Sequence, residues 1–296
     1  MLITTAALNA LRKGFKAHFQ SGIGQEKTLY QRIATTVLST AGEETYGWLG
    51  EMPEVREWIG DRHVHGLKEH DYAIKNKDFE LTIGVQRNKI KDDTIGVYKP
   101  VFEGFGRKVA AHPDKLVFGL LKDGANQKCY DGQSFFDTDH PVLDAEGNTY
   151  TVSNDGGGAG TPWYLLCTSE VIKPIIYQER EAFDFVALDN PTDANVFKNK
   201  EFLYGTDGRC NVGFGFWQTA FVSRQPLTAA NYEAARVAVQ SMKADYGEPL
   251  NLSPDVLMVP PALEGAANRL MKNDQIDGSD NEWKGTAEVL MVSRLA

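Results

Sequence analysis

Much of what would point to chemistry is missing from this chain of 296 residues. It has only three cysteines, Cys129, Cys167 and Cys210, an odd and scattered set without short metal-ligand spacing. They read as reduced thiols of a cytosol-like compartment, and a disulfide framework is not expected. No apolar run approaches the roughly 18 residues that a membrane-spanning helix needs. Basic charge is in deficit, with 31 Lys and Arg against 40 Asp and Glu and a formal net charge of -9. A dedicated nucleic-acid binder needs clustered cations, so that class is disfavoured; an acidic shell facing nucleic acid at a distance is not. Internal repeats are missing too, as is the G-x-S-x-G nucleophile elbow, and no cysteine sits in a recognisable catalytic signature. Gly156, Gly157, Gly158 and Gly160 form a glycine-rich loop, but no Lys-Ser/Thr pair follows and the strand–loop–helix context is lacking. A flexible connection is expected there, not a phosphate cradle.

What is present is ordinary globular material, 42% hydrophobic and 24% charged, enough for two domains or one elaborate one with a sizeable core. The most informative stretch is DYAIKNKDFELTIGVQRNKIKDD, from Asp71 to Asp93. Phe79, Leu81, Ile83 and Val85 alternate with Glu80, Thr82 and Gly84, the pattern of a strand with one apolar face. Lys75, Lys77, Arg87, Lys89 and Lys91 crowd its flanks. Directly after it, from Tyr98 to Leu121, the apolar period becomes helical: Val101, Phe105 and Val109 share a face that Leu116 and Leu120 continue. Pro113 either kinks this helix or splits it in two. Gly104 and Gly106 each lower helix propensity by about 1 kcal/mol, so packing must hold the helix. A charged ribbon before a long helix suits a subunit that reaches over its neighbours.

The N-terminal segment puts Leu8, Leu11, Phe15 and Phe19 on one helical face and Arg12, Lys13 and Lys16 off it. Its charges follow the apolar stretch, which disfavours a secretory signal, and a docking arm is expected of a soluble protein kept in a cytosol. Trp48, Leu49, Trp58 and Ile59 lie in a Gly- and Pro-punctuated segment that reads as a strap on another surface. Residues 123–162 are rich in turns, and 163–222 have the texture of strands. A helix is expected from Leu227 to Met242 with Thr228 as N-cap, then a strand in SPDVLMVPP, a helix in ALEGAANRLMKN and a closing strand in GTAEVLMVSRL. Without regular βαβ alternation, the class is α+β.

One group could carry chemistry. Asp137, Asp139 and His140 in FFDTDHP could hold a divalent metal or act as acid and base, with His63 and His65 as further ligands, giving a metal-dependent hydrolase. The bland reading is a turn, with Asp and Thr side chains bonding nearby amides and Pro141 fixing the exit. Tyr204, Phe214, Phe216 and Trp217 could stack bases or sugars, but among apolar strand residues they read as core.

Taken together, MLITTAALNAL, YGWLGEMPEVREWIGDR, KNKDFELTIGV, DDTIGVYKP, CYDGQSFFDTDHP, KPIIYQERE, EFLYGTDGR, SPDVLMVPPALEGAANRLM and NEWKGTAEVLMVSRL resemble the major head subunits of Mu-like phages and prophages. The resemblance runs through most of the chain and rests on the order and extent of these segments. It implies the tailed-phage major capsid fold (the Johnson fold): an N-terminal arm and strap at 1–61, an extended loop hairpin at 62–96, and a peripheral domain at 97–222. That domain would hold a long spine helix at 97–122, and an axial domain at 223–281 and a closing strand at 282–296 would complete the chain. It also implies a structural protein that is not an enzyme and needs no cofactor or metal, assembling with itself through hexamers and pentamers into an icosahedral head around double-stranded DNA held without sequence specificity. A separate scaffolding protein, a portal and decoration proteins would be its partners, with no membrane. The virion, and the host cytoplasm during assembly, would be its place. A tail or baseplate component is the alternative within structural proteins. Contacts between subunits are expected at Leu8, Leu11, Phe15, Trp48, Trp58, Lys75, Lys77, Phe79, Leu81, Ile83, Arg87 and Lys89. Some relatives of this fold cross-link their loops through lysine and asparagine; Lys77 and Asn76 adjoin here, but nothing in the sequence transfers that chemistry to them.

Overall fold

The computed structural model describes residues 4–47, 49, 72–92, 97–276 and 278–296. Helix α1 (Thr5–Gln25) begins where the Thr4 hydroxyl accepts a hydrogen bond from the Ala7 amide, an N-cap. A short α2 (Tyr30–Ile33) runs into β1 (Ala34–Leu38), followed by β2 (Glu43–Thr45), β3 (Ala73–Lys75) and β4 (Lys77–Gln86). Three helices come next: α3 (Arg87–Asp92), α4 (Lys99–Ala110) and α5 (His112–Lys122). The strands β5 (His140–Leu143), β6 (Thr149–Val152), β7 (Asp155–Gly158), β8 (Trp163–Leu166) and β9 (Ile175–Leu188) lead to α6 (Ala194–Asn199) and β10 (Glu201–Phe214). The chain ends with β11 (Ala220–Arg224), α7 (Ala229–Gln240), β12 (Val256–Val259), α8 (Glu264–Lys272), β13 (Gln275–Ile276), β14 (Ser279–Asp280) and β15 (Glu288–Met291).

Two mixed sheets carry the architecture. One has the order β1-β9-β10-β4, with β1 parallel to β9 and the rest antiparallel; the other runs β15-β12-β8-β11-β7. β8 and β12 are buried at every position, so they read as continuous apolar runs without alternation. They anchor the larger core. A second core lies between the first sheet and the pair α1 and α4, where Phe15, Phe19, Phe102 and Phe105 pack on Val85, Phe185, Phe202 and Tyr204. Phe15 stacks on Phe102 with ring centroids 4.1 Å apart and meets the Tyr204 ring edge-on at 5.1 Å. Such ring pairs add about 0.5–1.5 kcal/mol each beyond area burial.

Several expectations are corrected here. The helix at 97–122 is two helices: α4 ends and α5 begins at Ala111, and Pro113 lies in the first turn of α5, where its missing N–H costs nothing. The N-terminal helix is docked on its own chain, with Leu8 and Phe15 buried against α4 and the first sheet. The charged ribbon at 77–86 is an edge strand paired with β10 along its whole length, from Lys77 opposite Cys210 to Gln86 opposite Glu201. Residues 62–71 and 93–96 of the expected loop lie outside the described residues; within it β3 pairs antiparallel with β2, Thr45 opposite Ala73. The boundary expected at 222 falls inside β11, and β8 and β11 share a sheet with β12 and β15. The glycine cluster is no free linker: β7 runs parallel to β11, and a methyl group at Gly158 would lie 2.4 Å from the Arg224 carbonyl carbon.

Other expectations hold. α7 begins at Thr228, whose hydroxyl accepts from the Asn231 amide, and strands β12 and β15 and helix α8 fall where the periodicity puts them. Trp48, Trp58, His63 and His65 lie outside the described residues.

Candidate functional site

The FFDTDHP segment builds a buried cluster, but with different partners from those its spacing offers. A tight turn, in which the Gly132 amide donates to the Cys129 carbonyl and Gly132 takes φ +86, folds Cys129 and Asp131 back towards the start of β5. The Asp131 carboxylate then stands between two groups. Its Oδ2 is 2.7 Å from His140 Nδ1, and its Oδ1 accepts from the Cys129 thiol at 3.0 Å and from the Gln133 amide at 3.0 Å. The His140 ring, 0% exposed, stacks on Trp217 with centroids 4.0 Å apart.

Asp137 and Asp139 take no part. Asp137 Oδ1 accepts from the Thr138 amide, its own amide donates to the buried Asn154 side chain, and Asp139 is exposed. Asn154 also donates to the carbonyls of Phe135 and Trp217, which pins the turn to the core. The turn reading therefore holds, and the hydrolase built on Asp137, Asp139 and His140 finds no support. Sequence reasoning missed Cys129, Asp131 and Asn154; the Asp-Gly turn at 131–132 was the available signal.

Cys129, Asp131 and His140 carry donor types that suit zinc, with their ligand atoms within 4.8 Å of one another. Among the described residues no fourth His, Cys, Asp or Glu joins them. The arrangement is also wrong for a nucleophile, since the imidazole faces the carboxylate and not the thiol. Burial first, then the Asp131 charge, pushes the Cys129 thiol far up. Cys167 is pushed up to about 12 by burial, and all three cysteines are buried and free. Such thiols are inert. The cluster holds a turn, and Tyr204, Phe214, Phe216 and Trp217 are core groups as expected.

The residues expected at subunit contacts separate into two sets. Leu8 and Phe15 are buried within the chain, and Leu11, Phe79 and Ile83 are half-buried against its cores. Arg12 and Lys16 pair with Asp189 and Asp184 of the same chain, each at 3.1 Å. Lys75, Lys77, Leu81, Arg87 and Lys89 remain exposed. Asn76 is buried, and its carboxamide nitrogen donates to the Ser39 hydroxyl and the Ala41 carbonyl, while its oxygen accepts from Gln178. That network ties β3 to β9 and leaves the amide committed.

The two mixed sheets and their flanking helices have the fold of a phage capsid subunit, as structural likeness shows. The chain superposes on the procapsid of bacteriophage JBD30 with a TM-score of 0.87 and 44% identity, covering 99% of this chain and 100% of that one. It belongs to the family described as Mu-like prophage major head subunit gpT, matched over residues 8–295. It is 39% identical over 305 residues to the major capsid protein of Escherichia phage Mu, covering 100% of both chains. It is also 42% identical over 293 residues to the Mu-like prophage FluMu major head subunit of Haemophilus influenzae, covering 95% of each. The tail or baseplate alternative finds no support.

Proposed function

We propose that this major head subunit assembles with copies of itself, through hexamers and pentamers, into an icosahedral head that encloses double-stranded DNA. The observation that carries this reading is the end-to-end likeness to a procapsid subunit. Head subunits are structural proteins, and catalysis has no part in the reading. A separate scaffolding protein, a portal and decoration proteins complete the set of partners, assembly runs in the host cytoplasm, and the finished protein resides in the virion. The net charge of -9 fits a wall that contains DNA without gripping it. Lys75 and Lys77 at one end of β4, and Arg87 and Lys89 just beyond the other, are free to meet acidic groups of neighbouring subunits, with Leu81 exposed between them. Stable contacts of this kind bury at least about 1,000 Å² each.

The test is negative-stain electron microscopy of the purified protein, expressed alone and with the neighbouring genes. Closed shells, or hexameric and pentameric rings that convert to them, are expected. Monomers or dimers under both conditions would overturn the reading.

A further inference from the structure

Three carboxylates stand side by side across the first sheet. Asp184 of β9, Asp207 of β10 and Glu80 of β4 are register partners, so their side chains leave the same face about 5 Å apart. All three are exposed. Like charges placed directly opposite weaken a sheet, so the row needs a reason. Asp184 has Lys16 at 3.1 Å, but Asp207 and Glu80 have no ion pair among the described residues. On one side of this row the face turns largely apolar, with Val186 beside Gly205 and Thr82, then Leu188 beside Leu203 and Gly84; on the other side Arg209 pairs with Asp78 and Glu181. Val186 is 50% and Leu188 55% exposed, although α1 and α4 bury the opposite face of the same strands.

The complement of this surface lies at the end of the same sheet. There α6 joins β9 to β10, and Phe197 on it is 85% exposed between polar neighbours that include Lys198 and Lys200. The Arg87 amide donates to the Lys200 carbonyl at 2.8 Å, which sets the exposed Arg87 and Lys89 beside this tip. None of these four cations is in an ion pair among the described residues. One surface is thus apolar and acidic, the other aromatic and basic.

We propose that the α6 tip of one copy docks on the outer face of the first sheet of a second copy. Phe197 covers Val186, Leu188 and Leu203, while Lys198, Lys200, Arg87 and Lys89 face Glu80 and Asp207. The occupant is a second copy because the chain carries both halves of a charge-complementary pair, and Glu80, Asp207 and the four cations have no ion-pair partner among the described residues. Tip and face are different surfaces, so the contact is heterologous, the kind that propagates into rings and shells. This inference rests on the head-subunit reading and assigns one of its contacts.

The test is charge exchange in the full chain, co-expressed with its neighbouring genes and read as the assembled fraction by sedimentation and microscopy. Glu80→Lys with Asp207→Lys, or Lys198→Glu with Lys200→Glu, should each lower that fraction at least about tenfold. Circular dichroism of the unassembled subunit should be unchanged. The quadruple variant restores opposite signs and should recover shells. As a second readout, Phe197→Cys with Leu188→Cys should give disulfide-linked multimers on oxidation, the native thiols being buried. Normal shells from either charge-reversed pair, or monomers only from the cysteine pair, would overturn the inference and leave the head-subunit reading standing. A wild-type chain that never forms shells would overturn both.

Discussion

Gly106 of α4 and Phe19 of α1 meet backbone to backbone: a methyl group on Gly106 would lie 2.0 Å from the Phe19 carbonyl oxygen. The contact is nearly reciprocal, since a methyl on Gly22 of α1 would lie 2.1 Å from the Glu103 carbonyl oxygen of α4. Two glycines thus let the helices approach far enough for Phe15, Phe19, Phe102 and Phe105 to close the second core.

The consequence is a contrast between neighbours. Gly106→Ala should destabilise the unassembled subunit by about 1–3 kcal/mol through overpacking. Gly104 has nothing within 4 Å of an added methyl, so Gly104→Ala should stabilise it by up to about 1 kcal/mol. Denaturant titration of both variants checks the pair; equal effects would refute the close approach.

A second contrast runs along β4. Leu81 is 39% exposed, whereas Ile83 packs on the second core. Leu81→Asp should leave the subunit folded and block shell closure, so normal particles from it would count against an assembly role. Ile83→Asp should cost at least about 2 kcal/mol of fold stability, because it sets an unpaired charge against apolar groups. Thermal unfolding separates the two.

His140→Ala removes the partner of a buried carboxylate together with its stacking on Trp217, and should cost about 3 kcal/mol. Cys129→Ala removes one thiol hydrogen bond and should cost about 1 kcal/mol. A strong chelator should leave the wild-type melting temperature unchanged; a chelator-sensitive fold would point to a metal between Cys129, Asp131 and His140.

Asp131 also gives a pH dependence. Burial pushes its carboxyl up, but the hydrogen bonds from His140 and Cys129 and the His140 charge outweigh this, and the net shift is below the ordinary 3.8. The folded state therefore holds fewer protons than the unfolded chain in the window between the lowered value and 3.8. Its contribution is present above 3.8 and lost as pH falls through the lowered value. Asp131→Asn should flatten this acid limb of the stability curve, as read by denaturant titration from neutral to acidic pH.

The sequence by itself determined what depends on local periodicity and on order along the chain. The alternation of Phe79 to Val85, the cap at Thr228, the apolar runs of β12 and β15 and the α+β class were legible because each is a property of near neighbours. The family was legible too, since its segments recur in order. Only the tertiary structure decided which surface each apolar face would cover. The stripe of Leu8 and Phe15 can bury itself on a neighbour or on its own chain, and the glycines at 22 and 106 give it a seat at home. The histidine of the Asp-Thr-Asp-His run was visible, but its partner was not, because Asp131 reaches it through a turn nine residues back and a ring stacked from Trp217. Cross-strand register, which lines up Asp184, Asp207 and Glu80, joins residues 23 and 127 positions apart, and no local pattern records it.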